Sequence, residues 1–261
     1  LYSGFFKNYI NKISMYKKTK FNFKSIIKLP LIFLSKIILF VKLRTKENNS
    51  SEYLYKKFEK DNLDECYEYF KKYLSKSLII HQIKDMRTFS IETALKINSD
   101  NGHFLEFGVF DGESSNLFSK KIGNRKIYGF DSFEGLKDDW VGHHLPSGTF
   151  NLHGKIPKLE KNVVPVKGWV QDTLPIFLKE NKVIKINFLH MDLDTYESTK
   201  FVLSELKPYL KANSMILFDQ LYNYPGWKEG EFKALNEVFK ESEYKYIAFA
   251  KYSKQVLIKI I

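Results

Sequence analysis

Two segments constrain the fold more than any others: residues 104–111, Phe-Leu-Glu-Phe-Gly-Val-Phe-Asp, and residues 126–135, Lys-Ile-Tyr-Gly-Phe-Asp-Ser-Phe-Glu-Gly. Each is a short apolar run that breaks at a turn, and the stretch between them suits one helix. Strand, turn, helix and second strand form the unit from which parallel sheets are built. The alternation continues downstream. Strands are expected at 103–109, 126–131, 163–167, 186–192 and 215–219, and helices at 114–122, 172–180, 196–211 and 230–241. Residues 244–251 and 254–260 are β-rich runs separated by a turn too short for a crossover helix, so they should pair as an antiparallel hairpin. The expected fold is therefore α/β, a doubly wound, mostly parallel seven-stranded sheet ending in that hairpin. Upstream, residues 52–77 and 81–97 read as helices, with Leu54, Phe58, Tyr67, Phe70 and Leu74 at roughly helical intervals.

A chain of 261 residues with 44% hydrophobic content can bury one sizeable core. Its single cysteine, Cys66, excludes an intrachain disulfide and a multi-cysteine zinc site, which fits a reducing compartment, and reads most simply as a small apolar filler on a helix. The formal net charge of +12 suggests nucleic acid until it is located. Residues 1–46 hold eleven basic residues and no acid, leaving 31 basic and 30 acidic residues elsewhere. The excess thus belongs to an N-terminal arm, followed by a helical cap over 47–100 and a ligand-binding domain over 101–261.

The arm also contains the apolar run of residues 26–43, interrupted by Lys28, Pro30, Lys36 and Lys42. A spanning helix needs about 20 predominantly apolar residues, so a helix lying in a membrane interface is the better membrane reading, with lysines at the headgroups. The same amphipathic pattern equally suits packing on the rest of the protein or on a second copy in a homo-oligomer. No small-residue cleavage site follows the run, which argues against cleavable secretion. A cytoplasmic location follows, with peripheral contact on the inner face of a membrane as the finer expectation.

In doubly wound sheets, ligands settle outside the carboxyl ends of the strands, and an acid ending the second strand can hold ribose hydroxyls. Asp131 follows Gly108 by 23 positions, close to the roughly 20-residue spacing of that role. The loop Gly108-Val-Phe-Asp-Gly112 lacks the G-x-G-x-x-G pattern that suits a pyrophosphate. Glu106, Asp111 and Glu113 instead ring the turn with carboxylates, which repel phosphates and favour a cation. S-adenosylmethionine has a cationic sulfonium and amino group, a ribose and no phosphate. The plainer alternative is that these acids cap and solvate the helix beginning near Ser114.

Residues 103–261 resemble a class I S-adenosylmethionine-dependent O-methyltransferase, closest to the macrocin O-methyltransferase-like family that modifies sugar hydroxyls in natural products and surface polysaccharides. The matching segments are Glu106-Phe-Gly-Val-Phe-Asp-Gly112, Phe130-Asp-Ser-Phe-Glu-Gly-Leu136, Gly168-Trp-Val-Gln-Asp-Thr-Leu-Pro175, Met191-Asp-Leu-Asp-Thr-Tyr-Glu-Ser-Thr199 and Phe218-Asp-Gln-Leu-Tyr-Asn-Tyr-Pro-Gly-Trp227. Each alone is weak; their order and spacing are specific. Residues 1–100 fall outside the resemblance. It implies a Rossmann-like fold in which Glu106 and Gly108 line the methionine end of the cofactor, Asp131 holds the ribose, and Trp169, Val170 and Gln171 frame the adenine. Gly112, Ser114, Ser132 and Asp192 complete the implied cofactor set. An ordinary core position remains the alternative for Trp169.

Methyl transfer to a hydroxyl needs alignment and removal of a proton, so a base or metal is expected. Asp192 and Asp219 end the fourth and fifth strands at the cofactor's edge of the sheet, well placed for a hard cation such as Mg²⁺. The arrangement resembles catechol O-methyltransferases, which use two aspartates and an asparagine at matching strand ends. Gln220 stands where macrocin-type enzymes have a second acid, and its amide oxygen is still a legitimate ligand. Alternatively, Asp192 and Asp194 cap the helix beginning near Thr195. Residues 134–162 lack helical period and suit a loop over the cleft. Within it His143 and His144, together with Asp192, are the candidate catalytic residues, against solvated loop histidines as the alternative. The aromatic segment Tyr222-Asn-Tyr-Pro-Gly-Trp227 is a second mobile candidate, able to stack on a sugar ring.

Three other functions compete. An NAD-dependent nucleotide-sugar-modifying enzyme could use a similar sheet, but the acidic loop opposes a dinucleotide. Nucleic-acid methylation is suggested by charge alone, and that charge lies outside the catalytic portion, with no Asn/Asp-Pro-Pro-aromatic motif after the fourth strand. A noncatalytic membrane-binding or scaffold protein leaves the strand-end acids unexplained. The sequence therefore points to O-methylation of a sugar or glycan-bearing substrate, with no nucleic-acid partner.

Overall fold

A computed structural model describes residues 52–140 and 143–261 and places the alternating segments in one eight-stranded sheet of order β1-β7-β8-β6-β5-β2-β3-β4. The arm of residues 1–46, with its membrane and oligomer readings, lies outside the described residues. Helix α1 (Tyr53–Leu74) leads into β1 (Leu78–Ile80) and α2 (Ile83–Ile97). The repeating units follow as β2 (His103–Phe107), α3 (Glu113–Lys121), β3 (Ile127–Asp131), β4 (Val163–Lys167), α4 (Val170–Glu180), β5 (Ile186–Met191) and α5 (Tyr196–Leu206). The chain continues through β6 (Met215–Phe218), α6 (Glu231–Val238), β7 (Tyr244–Ala250) and β8 (Val256–Ile260).

Strands β4, β3, β2, β5 and β6 run parallel, and β8 is antiparallel to both β6 and β7. This is a Rossmann-like α/β sheet with an antiparallel C-terminal hairpin. It has eight strands rather than the expected seven, because Leu78–Ile80 adds a parallel edge strand beside β7. That strand is too short to show periodicity between two long helices. The expected helix over 196–211 also ends sooner, at Leu206, followed by a 3-10 turn over Lys207–Tyr209 where Pro208 cannot supply the amide that α-helical bonding requires.

Mainly apolar runs make the inner strands: every residue of β5 and β6 is buried, Asn187 and His190 included, as expected for strands covered on both faces. Alternation along each strand feeds two cores. Leu105, Phe107, Leu189, Met191 and Ile216 face α1, α4, α5 and α6, while Phe104, Phe188, Met215 and Leu217 face α2 and α3. The unit from Phe58 to Ile261 is compact, and the part of α1 inside it is anchored by Cys66 and Phe70. Cys66 is a buried filler whose thiol is pushed up to about 11 by burial. No helix among the described residues is long and apolar enough to cross a membrane.

Candidate active site

A cavity of about 520 Å³ opens where β2, β3, β4, β5 and β6 end, the edge at which parallel sheets collect ligands. Its walls carry six carboxylates (Asp111, Glu113, Asp131, Asp192, Asp194, Asp219) against three basic side chains (Arg87, Lys137, Lys254). A shallower cleft of about 410 Å³ adjoins it through Leu136, Lys137 and Trp169 and has a single carboxylate, Glu134. The acidic chemistry resides in the larger one.

The loop after β2 is drawn tight by Asp131. One carboxylate oxygen accepts the amides of Val109 and Phe110 at 2.8 Å each, and the other accepts that of Phe133 at 2.7 Å. An ionised carboxylate offers about four lone-pair sites, so Asp131 holds the loop and keeps little capacity for a ribose. Gly108 sits in the left-handed region, φ +89°, and a Cβ there would lie 1.8 Å from the Asp192 carbonyl oxygen. Only glycine allows β2 and β5 to release their loops so close together. Three non-glycine residues on the wall share that backbone region: Phe110 at φ 47°, Phe150 at φ 66° and Asp194 at φ 61°. Such conformations cost about 1–3 kcal/mol each and cluster at functional sites.

Among the sequence-derived cofactor residues, Gly108, Ser114, Asp131, Ser132, Trp169, Val170, Gln171 and Asp192 line the cavity. Trp169 is half-buried wall rather than core, with Lys137 Nζ 5.9 Å from its ring centre. Two expected members do not line it. Gly112 is the left-handed residue before α3, and Glu106 is fully buried behind the wall. Glu106 accepts a short hydrogen bond from Ser115 Oγ and meets His190 Nδ1 at 2.8 Å. It is committed to a buried histidine, not to a cofactor's methionine end.

The three metal candidates are brought together. Asp192 and Asp219 line the cavity with Gln220, whose Nε2 lies 3.5 Å from Asp192 Oδ1 and donates a short bond to Asp219. Among the buried atoms beside them with no hydrogen-bond partner among the described residues are Gln220 Oε1, His190 Nε2 and Gln255 Oε1. Asp219 also receives Gln255 Nε2 and stands 3.6 Å from Arg87 Nη2. Burial and the neighbouring Asp219 push the Asp192 carboxyl up to about 7. Burial also pushes Asp219 upward, but His190, Arg87 and Gln255 more than offset it and leave the group below its ordinary range. Burial lowers His190, yet the facing carboxylates of Asp219 and Glu106 outweigh that and raise it to about 9.

The segment after β3 folds over the cavity, closed on itself by Leu136 N to Thr149 O (2.9 Å) and Gly148 N to Leu136 O (2.8 Å). It contributes Trp140, His143 and Phe150 to the wall. His143 stacks on Trp140 at 4.3 Å and its Nε2 is 3.4 Å from Lys254 Nζ. Burial, Lys254 and His144 all lower its pKa. His144 is exposed, stacks on His143 at 4.8 Å and is absent from the wall. The Tyr222–Trp227 segment is not an open aromatic platform: Tyr222, Tyr224 and Trp227 are buried, and Trp227 Nε1 donates to Asn62 O at 3.1 Å. Its rings serve the core under α1.

Sequence reasoning missed Arg87, His190 and Lys254. His190 left a trace, a titratable residue in the middle of the apolar run Ile186–Met191. Arg87 left none, because α2 reaches the cavity from outside the β–α repeat.

Residues 105–221 match the family described as Methyltransferase domain. The curated relative 8-demethyl-8-(2,3-dimethoxy-alpha-L-rhamnosyl)-tetracenomycin-C 4'-O-methyltransferase of Streptomyces olivaceus is 26% identical over 158 residues, 52% of this chain. The chain spans 58% of the length of that relative. The crystal structure of CalS11, a calicheamicin methyltransferase, is similar with TM-score 0.56 and 26% identity over 67% of this chain and 77% of its own. The apo form of CalS11 is described as a TDP-rhamnose 3'-O-methyltransferase; it is 25% identical with TM-score 0.50, over 67% and 78%. The O-methyltransferase NovP shares the fold, with TM-score 0.51 and 21% identity over 68% and 78%.

Proposed function

We propose, from the match of residues 105–221 to a methyltransferase-domain family, that this chain transfers a methyl group from S-adenosylmethionine to a hydroxyl of a sugar or glycan-bearing substrate. The observation that carries the reading is the carboxylate-rich cavity at the strand ends, which lacks a glycine-rich phosphate cradle and so favours a cationic donor over a dinucleotide. The rhamnose-modifying relatives support the sugar as acceptor, within surface-polysaccharide or natural-product biosynthesis. S-adenosylmethionine supplies an electrophilic methyl group on a sulfonium centre.

The chain's own residues position and deprotonate. Trp169, Val170 and Gln171 frame the base of the donor, and the strand-end acids face its cationic end. Asp192, poised near neutral pH by burial and by Asp219, takes the hydroxyl proton, the role for which a pKa near the working pH is best. His143, held between Trp140 and Lys254, shapes the acceptor side and is a second candidate for proton removal. The folded-over segment carrying it keeps water from the reacting groups.

The residues also fit a divalent cation. Asp192, Asp219 and the orphaned Gln220 Oε1 are oxygen donors of the kind Mg²⁺ takes, and the bound cation would polarise the acceptor hydroxyl. The basic arm of residues 1–46 would hold the enzyme peripherally on the inner face of a membrane. Calorimetry decides the donor: heat with S-adenosylmethionine and none with NAD is expected, and the reverse overturns the reading.

A further inference from the structure

Resting on the reading that the cavity takes a divalent cation, we infer that His190 Nε2 is one of its ligands and that the site prefers a borderline transition-metal ion such as Mn²⁺, Co²⁺ or Zn²⁺ to Mg²⁺. His190 is fully buried in β5, two residues before Asp192. Its Nδ1 meets the Glu106 carboxylate at 2.8 Å. With Nδ1 donating its hydrogen there, Nε2 is directed the other way, towards Asp219 Oδ1 at 3.9 Å. That separation is too long for a hydrogen bond, and Nε2 has no hydrogen-bond partner among the described residues. One ligand atom from each of His190, Asp192 and Asp219 falls within 4.8 Å of the others.

A carboxylate behind an imidazole that faces two further carboxylates is how proteins orient a metal-binding histidine, because the rear acceptor fixes the tautomer and raises ligand basicity. Glu106 is itself fixed by Ser115 Oγ, so the imidazole is braced from a strand and a helix at once. The ligand set becomes one imidazole nitrogen, two carboxylates and the Gln220 amide oxygen, which a half-turn of its amide directs at the carboxylates. Mg²⁺ favours all-oxygen surroundings, whereas imidazole suits the later divalent ions. Any proton on Nε2 leaves to solvent as the ion binds.

The test uses the full chain loaded with Mn²⁺ or Co²⁺ after chelation. Pulsed electron resonance of the Mn²⁺ form should show coupling to a directly bound nitrogen, and that coupling should persist in the His143→Ala/His144→Ala double variant, which removes the histidine of the cavity wall and the exposed one stacked on it. Calorimetry should show Co²⁺ binding tighter than Mg²⁺. Glu106→Gln should weaken Co²⁺ by about tenfold or more, and His190→Gln should weaken it further while changing Mg²⁺ by under about threefold. No nitrogen coupling in the wild-type chain, or its loss in the double variant, overturns the assignment even where His190→Gln fails to fold. So does an unchanged Co²⁺-to-Mg²⁺ ratio in folded His190→Gln. S-adenosylmethionine binding in excess chelator tests the proposed function separately and is indifferent to either result.

Discussion

At Gly108 a single hydrogen stands between a working loop and a collision. A methyl group there would meet the Asp192 carbonyl oxygen at 1.8 Å, in a backbone region that other residues rarely adopt. Gly108→Ala should therefore lower S-adenosylmethionine affinity at least about tenfold in calorimetry, from displacement of the loop that carries Val109 and Phe110. Asp192 leads to an expectation of opposite sign for stability and function. Its carboxyl rises from 3.8 to about 7 on folding, through burial and Asp219, so between those pH values the folded state holds more protons than the unfolded one. Its contribution to stability is present below pH 3.8 and is lost as pH rises through about 7. Asp192→Asn should raise Tm by about 2 °C or more at pH 8 while lowering kcat at least about a hundredfold; calorimetric scans and a methyl-transfer assay check the two halves. What the sequence shows of such residues is uneven. Asp131, Asp192 and Asp219 were legible because each ends an apolar run. Glu106 was not, since a sequence places it in a strand without saying that the side chain turns inward to His190.

Among the elements, α1 offers the sharpest energetic test. Phe70 is fully buried with its ring centre 5.5–5.7 Å from those of Tyr222, Trp227, Phe232, Tyr246 and Phe249. Phe70→Ala should cost about 3–5 kcal/mol in denaturant unfolding, and a loss below about 1 kcal/mol would show that α1 is not part of the core. These contacts explain why the Tyr222–Trp227 segment misled: Pro225 and Gly226 give it the composition of an exposed turn, yet its aromatic side chains fill the space beneath α1. Elements whose burial is repeated along the chain were readable. Strands β2 to β8 are long enough to show their apolar character, whereas β1, with three residues, is defined only by pairing with β7 across most of the chain. Arg87 illustrates the same limit, since nothing local in α2 reveals that its guanidinium lies 3.6 Å from Asp219.

At the scale of the whole molecule, charge is divided as sharply as structure. The arm of residues 1–46 holds eleven basic residues and no acid, while the cavity has twice as many carboxylates as basic groups on its wall. Removal of residues 1–46 should abolish cosedimentation with anionic vesicles, because surface attraction of this kind is worth about 1 kcal/mol per basic residue, and should leave S-adenosylmethionine binding within about twofold. Unchanged cosedimentation would remove the membrane role.

Strand β8 lies between β6 and β7, so a strand made later separates two that precede it in the chain. Until Val256–Ile260 has been synthesised, no backbone pairing joins β1 and β7 to the other five strands, and the apolar edge of Met215–Phe218 stays open. Ribosomal products that stop short of this strand should be seized by chaperones or proteases rather than accumulate, for an unpaired apolar strand edge invites aggregation.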